Sequence, residues 1–291
     1  MFLNDQDLLI REAGQEDREQ LSNLLRRKSF IHRHLGWHPP LYWLGYQPYL
    51  VLEQSKNILA ALVCPPDEDR NTWLRLFAVA PGFSIQRAWT KLWTPSLQWL
   101  QQNTAVRLIN SLVIQDPMIG LLSKSGFREI YQVVVLDWDL AHASWPAQRG
   151  NVEIREMIKD DFPRVYEIDQ GAFEPIWRIS LGHLEFAYQE AFSASVAILR
   201  DRIVGYQIST INPQAGHLAR LAVDPAFQNQ GVGSAILGDV MDRFQWQGVV
   251  QVSVNTQTGN QVSLELYHKF GFMLLDEVYP VYQYTLERGI S

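Results

Sequence analysis

Cysteine is almost missing. Cys64 stands alone among 291 residues, which excludes an internal disulfide and offers no cysteine spacing for zinc. Long apolar runs are missing too, and no uncharged apolar run approaches the roughly 20 residues of a membrane-crossing helix. The N-terminal region carries Asp5, Asp7, Arg11 and Glu12 and shows neither the basic nor the apolar segment of a signal peptide. Positive charge is in deficit, with 25 Lys and Arg against 31 Asp and Glu and a net charge of −6. That balance argues against nucleic acid or an anionic membrane as the main partner. The expectation is a soluble cytoplasmic protein, with its oligomeric state left open. What is present is ordinary: 47% hydrophobic and 19% charged residues, in a length that suits two domains with a core each.

The most informative stretch is 218–237, LARLAVDPAFQNQGVGSAIL. Leu218 to Val223 reads as a buried strand. Asp224-Pro225 breaks the pairing, because proline has no N–H for a ladder. After Gln228-Asn229-Gln230-Gly231-Val232-Gly233, residues Ile236, Leu237, Val240, Met241 and Phe244 recur with the 3.6-residue period of a half-buried helix. The order is strand, glycine-containing loop, helix N-terminus. Such a turn aims unpaired N–H groups and the positive end of a helix dipole at one point, where phosphate binds well. Two glycines alone are a weak signal. GxGxxG is absent, and no Lys-Ser/Thr follows the loop as in a P-loop.

The Gln228-x-x-Gly231-x-Gly233 loop after a strand ending Val223-Asp224-Pro225 resembles the acetyl-CoA pyrophosphate loop of the GNAT superfamily of N-acetyltransferases. A second block follows in the family's order: Asn260, Ser263, then Leu266-Tyr267-His268-Lys269-Phe270-Gly271-Phe272. The resemblance implies an acetyl-CoA co-substrate, no metal, and direct acetyl transfer to a primary amine. It implies that the backbone of Gln228, Asn229, Gln230, Gly231, Val232, Gly233 and Ser234 holds the pyrophosphate. The main chain of Leu221, Ala222 and Val223 would pair with the pantetheine arm, and one N–H there would face the developing oxyanion. Tyr267 would be the acid that protonates the leaving thiolate, and Asn260 a pantetheine contact or, equally, a helix N-cap.

The base departs from the branches it resembles. Asp169 to Trp177 is similar to the substrate-side segment of ribosomal-protein N-terminal acetyltransferases, which carry a catalytic Glu five residues before the Asn of the second block. That position here is Asn255, which cannot act as a base. In the histone acetyltransferase branch the base lies on the strand before the loop, and aligning the loops places His217 there. A water relay, Glu174 and Glu185 are alternatives. The expected acceptor is a small metabolite or amino-acid-like amine rather than a protein, with a peptide or protein amine, or a CoA-binding regulatory or scaffold protein without turnover, as the other readings.

The first half is a faint copy of the second. Arg11 recurs as Arg155 and Val79-Ala80-Pro81 as Val223-Asp224-Pro225, both 144 positions later, while Leu121 to Phe127 matches Leu266 to Phe272 at 145. The copy has lost both loop glycines: Ser84 to Trp89 stands where Gln228 to Gly233 stands, with Trp89 expected to crowd the phosphate place. The fold class follows: α/β, two tandem GNAT-like domains, each a mixed, mostly antiparallel sheet flanked by helices. Residues 1–140 form the degenerate domain, 141–151 a linker and 152–291 the acetyl-CoA-binding domain, closed by a strand from Val278 to Leu286. Eight of ten tryptophans precede Asn151, and the segment Ile31 to Gln47 is expected to pack the core or wall an acceptor pocket. His32, His34 and His38 lie close in sequence but lack a metal-site pattern. Pro65 to Arg70 reads as a solvated turn.

Overall fold

The computed structural model describes residues 7–26, 30–34, 36–67, 70–139, 151–213 and 215–287. The expected linker falls, except for Asn151, outside the described residues. The first half runs β1 (Leu8–Glu12), α1 (Arg18–Arg26), β2 (Phe30–Arg33), β3 (Tyr49–Gln54), β4 (Asn57–Val63), β5 (Asn71–Trp73), β6 (Leu76–Val79), α2 (Ile85–Asn103), β7 (Leu108–Leu112), α3 (Asp116–Lys124) and β8 (Arg128–Asp139). The second half runs β9 (Glu153–Glu156), α4 (Phe162–Ala172), α5 (Leu181–Gln189), β10 (Ser193–Leu199), β11 (Arg202–Ile211), β12 (Ala215–Val223), α6 (Val232–Trp246), β13 (Gln251–Gln257), α7 (Gln261–Lys269) and β14 (Met273–Thr285). No helix among the described residues is long and apolar enough to cross a membrane.

Two compact units emerge, one of Met1–Tyr131 with Tyr279–Ser291, the other of Gln132–Val278. In the first, β1, β3, β4, β6 and β2 form an antiparallel sheet in that order. A smaller ladder pairs β5 with β7 in parallel and Val281–Thr285 of β14 with β7 antiparallel. In the second, β9, β10, β11 and β12 are antiparallel neighbours, β12 pairs with β13 in parallel, and β13 pairs with Val133–Asp139 of β8.

The closing strand of the second half therefore lies against β7 instead of closing its own sheet, and β8 takes that place beside β13. Each exchanged strand brings the apolar face its new sheet needs. Val134, Leu136 and Trp138 join Leu218, Val252 and Val254 in the second unit's core, while Tyr282 and Leu286 join that of the first. Other elements follow their patterns. In β13, Val252, Val254 and Thr256 are buried and their neighbours are not, the period of two of a one-sided strand. Helix α6 buries Ala235, Ile236, Leu237, Val240, Met241 and Phe244. It lies so close to the sheet that a Cβ on Gly216 would stand 2.6 Å from Phe244.

The duplication is visible in contacts as well as letters. Arg11 grips Asp17 through two hydrogen bonds of 2.7 and 2.8 Å, and Arg155 grips Asp161 through two of 2.7 Å. The same carboxylates accept the backbone N–H of Gly14 and of Ile158. Each carboxyl is held below its ordinary range, first by its arginine.

The hairpin after β10 turns on Arg200 and Asp201, both with positive φ. One local expectation is corrected. Asp67 is not solvated: it pairs with Arg75, whose guanidinium lies over the ring of Trp43. His32, fully buried on β2, sits 3.0 Å from Ser111 Oγ, and burial pushes its imidazole down to about 4. Trp43 packs in the core, as one reading of the His/Trp-rich segment expects.

Candidate acyl-transfer site

The site is built where β12 leaves β13. Pairing of β12 with β11 runs Val223, Ala222, Leu221 and Arg220 against Gly205 to Ile208, then shifts so that Leu218 faces Ser209. Ala219 is the extra residue, a β-bulge, which bends a strand and ends regular pairing. The parallel pairs of β12 with β13 end at Leu218 and Val254, one residue before the bulge. Beyond that, β13 continues to Gln257 against β8, while β12 continues to Val223 paired, among the described residues, with β11 alone. The two strands part, and the edge from Ala219 to Val223 faces the gap.

The loop after this edge is pinned by Asp224. Its backbone N–H bonds Val204 O at 2.8 Å, its Oδ1 accepts Ala226 N–H at 2.9 Å, and Arg164 forms an ion pair with it. Pro225–Phe227 makes a single 3-10 turn. The side-chain amides of Gln228 and Gln230 donate back to Val223 O and Ala226 O, both at 3.3 Å. Asn229 takes φ +60°, and Gly231, the N-cap of α6, takes φ +82°. A Cβ built on Gly231 meets nothing within 4 Å, so the helix end is open. The first helical bond runs from Ala235 N to Gly231 O, which leaves the N–H groups of Val232, Gly233 and Ser234 outside the helix ladder. Gly233 serves packing: a Cβ there would stand 3.3 Å from Leu266 Cδ2, so its absence brings α7 against the first turn of α6.

These features fit acetyl-CoA. Phosphate can approach N–H groups at a helix end that no side chain caps, and an extended amide-bearing arm can add to a free strand edge.

Tyr267 lies on α7, 6% exposed, 5.7 Å from the ring of Phe272, and burial pushes its phenol well above the ordinary range. Asn260 caps α7, its Oδ1 accepting Ser263 N–H at 3.2 Å. His217 pairs with Ser253 one step before the last pair of the two strands, with Nδ1 2.9 Å from Ser253 Oγ; burial holds its imidazole below the usual range. Leu221 and Val223 are half-buried and Ala222 is buried. Asn255, Glu174 and Glu185 are exposed on β13, before a 3-10 turn and on α5.

One constellation escaped the sequence reading. Asp169 on α4, wholly buried, accepts Arg220 Nε–H at 2.5 Å, the Tyr206 hydroxyl, and Ile179 N–H at 3.1 Å. Arg220 also donates to Trp177 O at 2.8 Å and to Tyr206 Oη at 3.0 Å, and lies 3.9 Å from the centre of the Phe173 ring. The cluster ties the segment Phe173–Ile179 to β12 beside the bulge. No spacing signals it, since Asp169 and Arg220 are 51 residues apart.

The first half follows a related element order, with β2 in the place of α5, and fills both openings. β5 and β6 stand where β12 stands, and β2 pairs along the edge of β6, Phe30 to Arg33 against Val79 to Leu76. Helix α2 is capped by Ser84, whose Oγ accepts Arg87 N–H at 3.3 Å. Trp89 does not crowd a phosphate place. The helix begins before it, so the indole turns into the core, stacked on Trp93 and donating to Ser125 Oγ at 2.7 Å.

A free strand edge in a parted parallel pair, leading to an uncapped helix N-terminus, defines a domain of the acyl-CoA N-acyltransferase class. Residues 162–272 match the family described as Acetyltransferase (GNAT) family, so that segment is a GNAT-family domain. The [ribosomal protein bS18]-alanine N-acetyltransferase of Haemophilus ducreyi is 29% identical over 119 residues, covering 41% of this chain and 81% of that relative. The enzyme of the same description from Salmonella typhimurium is 31% identical over 72 residues, covering 25% and 49%. A tandem GNAT protein from the clavulanic acid biosynthesis pathway superposes with a TM-score of 0.69 at 13% identity, over 97% of this chain and 99% of that one. A GCN5-related N-acetyltransferase from Sphaerobacter thermophilus gives 0.67 at 16%, over 99% and 98%. At such identities these two likenesses speak for the fold, two GNAT-like units in tandem.

Proposed function

We propose that the second half of the chain transfers the acetyl group of acetyl-CoA directly to a primary amine, and that the first half binds no acetyl-CoA. One contrast supports this most. In the second copy of the element order the β12 edge and the α6 N-terminus are open, and in the first copy both counterparts are filled.

Acetyl-CoA would supply the acetyl thioester and the phosphates. Backbone N–H groups from Gln228 through Ser234 would hold the phosphates, and the main chain of Leu221 to Val223 would align the extended arm. An N–H on that edge would face the carbonyl oxygen as negative charge builds there. His217, kept neutral by burial, would take the proton of the attacking ammonium, with a water relay as the other route. Tyr267, kept protonated by burial, would give its phenolic proton to the departing sulfur.

For the acceptor, the activity named for the bS18-alanine relatives supports a peptide or protein α-amine. Asn255, standing where that branch resemblance implies a catalytic Glu, supports a small amine instead. Thiol release from acetyl-CoA by the full chain, measured against a panel of small amines and short peptides, separates the two. Turnover with peptides alone favours the first and turnover with small amines alone the second. Binding of acetyl-CoA without turnover of any amine would leave a CoA-binding scaffold.

A further inference from the structure

Among the described residues, the sheet beside the gap has one face left largely uncovered. Along β13, Val252 and Val254 are buried, whereas Gln251, Ser253 and Asn255 are not. Along β8, Leu136 and Trp138 are buried, whereas Val135 and Asp137 are half-buried and Asp139 is exposed. Side chains alternate between faces along a strand. Among the described residues, these two strands therefore give one face to the core under α6 and leave the other open apart from Val133. On the open face the register places Thr210, His217, Ser253 and Asp137 in one row across β11, β12, β13 and β8. Two contacts fix their orientation: His217 Nδ1 lies 2.9 Å from Ser253 Oγ, and Gln251 Nε2 donates to Asp137 Oδ2 at 2.7 Å. The next pair along, Leu218 with Val254, is the last before β12 and β13 part. Strand spacing of about 4.8 Å puts Asp137 roughly 10 Å from His217.

We propose that Asp137 is an acceptor-binding residue: its carboxylate takes a second positive charge of the acceptor while the reacting amine lies over His217. This rests on the acetyltransferase reading above. The row otherwise offers hydroxyls and an imidazole, so Asp137 is its anion. Gln251 uses one of the roughly four lone-pair sites of a carboxylate and leaves room for a cationic donor. The acceptor class that matches is a primary amine with a second cation about 10 Å away. A small diamine meets it, and so does a peptide whose basic side chain supplies the second charge. Asp137 belongs to the first half of the chain, which makes that half a contributor to the acceptor site through β8.

The test uses the full chain. KM and kcat are measured for α,ω-diamines of increasing length, for monoamines of the same length, and for short peptides with lysine or norleucine at the second or third position. Dissociation constants of the same amines are measured by calorimetry with CoA present. Asp137→Asn is expected to raise KM and Kd for dicationic acceptors roughly tenfold to hundredfold, the worth of a charge-assisted hydrogen bond. Monoamines, kcat and acetyl-CoA affinity should stay unchanged, and Asp137→Glu should restore part of the loss. Gln251→Lys, at an exposed position, should produce the same selective loss with the fold untouched. A response in the diamines or in the lysine peptides identifies the source. Unchanged KM and Kd in both Asp137→Asn and Gln251→Lys, or an equal loss for monoamines and dications, would overturn the proposal. Should acetyl-CoA bind and no amine turn over, the acetyltransferase reading fails separately. The dissociation constants then still decide: diamine binding that Asp137→Asn abolishes supports Asp137, and no diamine binding overturns it.

Discussion

Asp169→Asn keeps the shape of a wholly buried side chain and removes its charge. The guanidinium of Arg220, its side chain 12% exposed, then loses the only carboxylate hydrogen-bonded to it among the described residues. Breaking a buried ion pair by neutralising one partner costs about 3–5 kcal/mol, because the other charge stays buried and uncompensated. Arg220 keeps its bond to Trp177 O and the face of Phe173, which places the expected loss near the lower end, about 3 kcal/mol. With a urea slope of about 2 kcal/mol per molar, the midpoint should fall by about 1.5 M. Hydrogen exchange resolved by mass spectrometry assigns the effect: amides from Ile203 to Val223 should lose protection, and those of β3 and β4 should not. Replacing both partners with apolar side chains, Asp169→Leu with Arg220→Met, should recover most of the loss. A single-mutant cost below about 1 kcal/mol, or a double mutant that costs the sum of both singles, would refute the reasoning.

The Asp161 carboxyl is depressed by Arg155, so its pair contributes stability above the unfolded carboxylate value of about 3.9 and loses it as pH falls through the folded value. Asp161→Asn should therefore lower Tm at neutral pH, and the difference from wild type should close under strong acid. Arg155 is partly exposed, which limits the neutral-pH cost to about 1 kcal/mol. Tyr267→Phe should reduce kcat by a factor on the order of 100 and leave acetyl-CoA binding intact, read by steady-state kinetics and calorimetry. His217→Ala should remove the acid limb of the pH–rate profile. In wild type that limb should fall below the usual histidine value, because burial lowers the imidazole; an unchanged profile would discard His217 as the base.

The loop and α6 were legible because their signals are local. Apolar period, a proline stop and glycines at the helix start all sit within 20 residues. The duplication was legible because Arg11 with Arg155, Val79-Ala80-Pro81 with Val223-Asp224-Pro225 and Leu121 to Phe127 with Leu266 to Phe272 recur in nearly one register. The bulge at Ala219 was not, since it exists only in the register between β12 and β11. The exchange of β8 and β14 was hidden for a related reason. Both strands carry apolar residues of similar kinds, and nothing within either says which sheet it joins. Insertion of β2 along β6 needs a partner more than 40 residues away. Trp89 was misplaced because a loop-to-loop alignment assumes equal helix starts, and α2 starts with Ile85 where α6 waits until Val232. Asp67 looks solvated beside its acidic neighbours until the fold brings Arg75 to it.

The measurement that bears most directly on the central claim is calorimetric titration of acetyl-CoA into the wild-type chain and into Gly231→Trp. Gly231 has φ +82° and open space around its Cβ position, so tryptophan there costs about 1–2 kcal/mol in backbone strain and leaves the fold standing while covering the helix end. The account predicts one site per chain in the wild type and none in the variant. Two sites per chain, or a variant that binds as well as wild type, would contradict it.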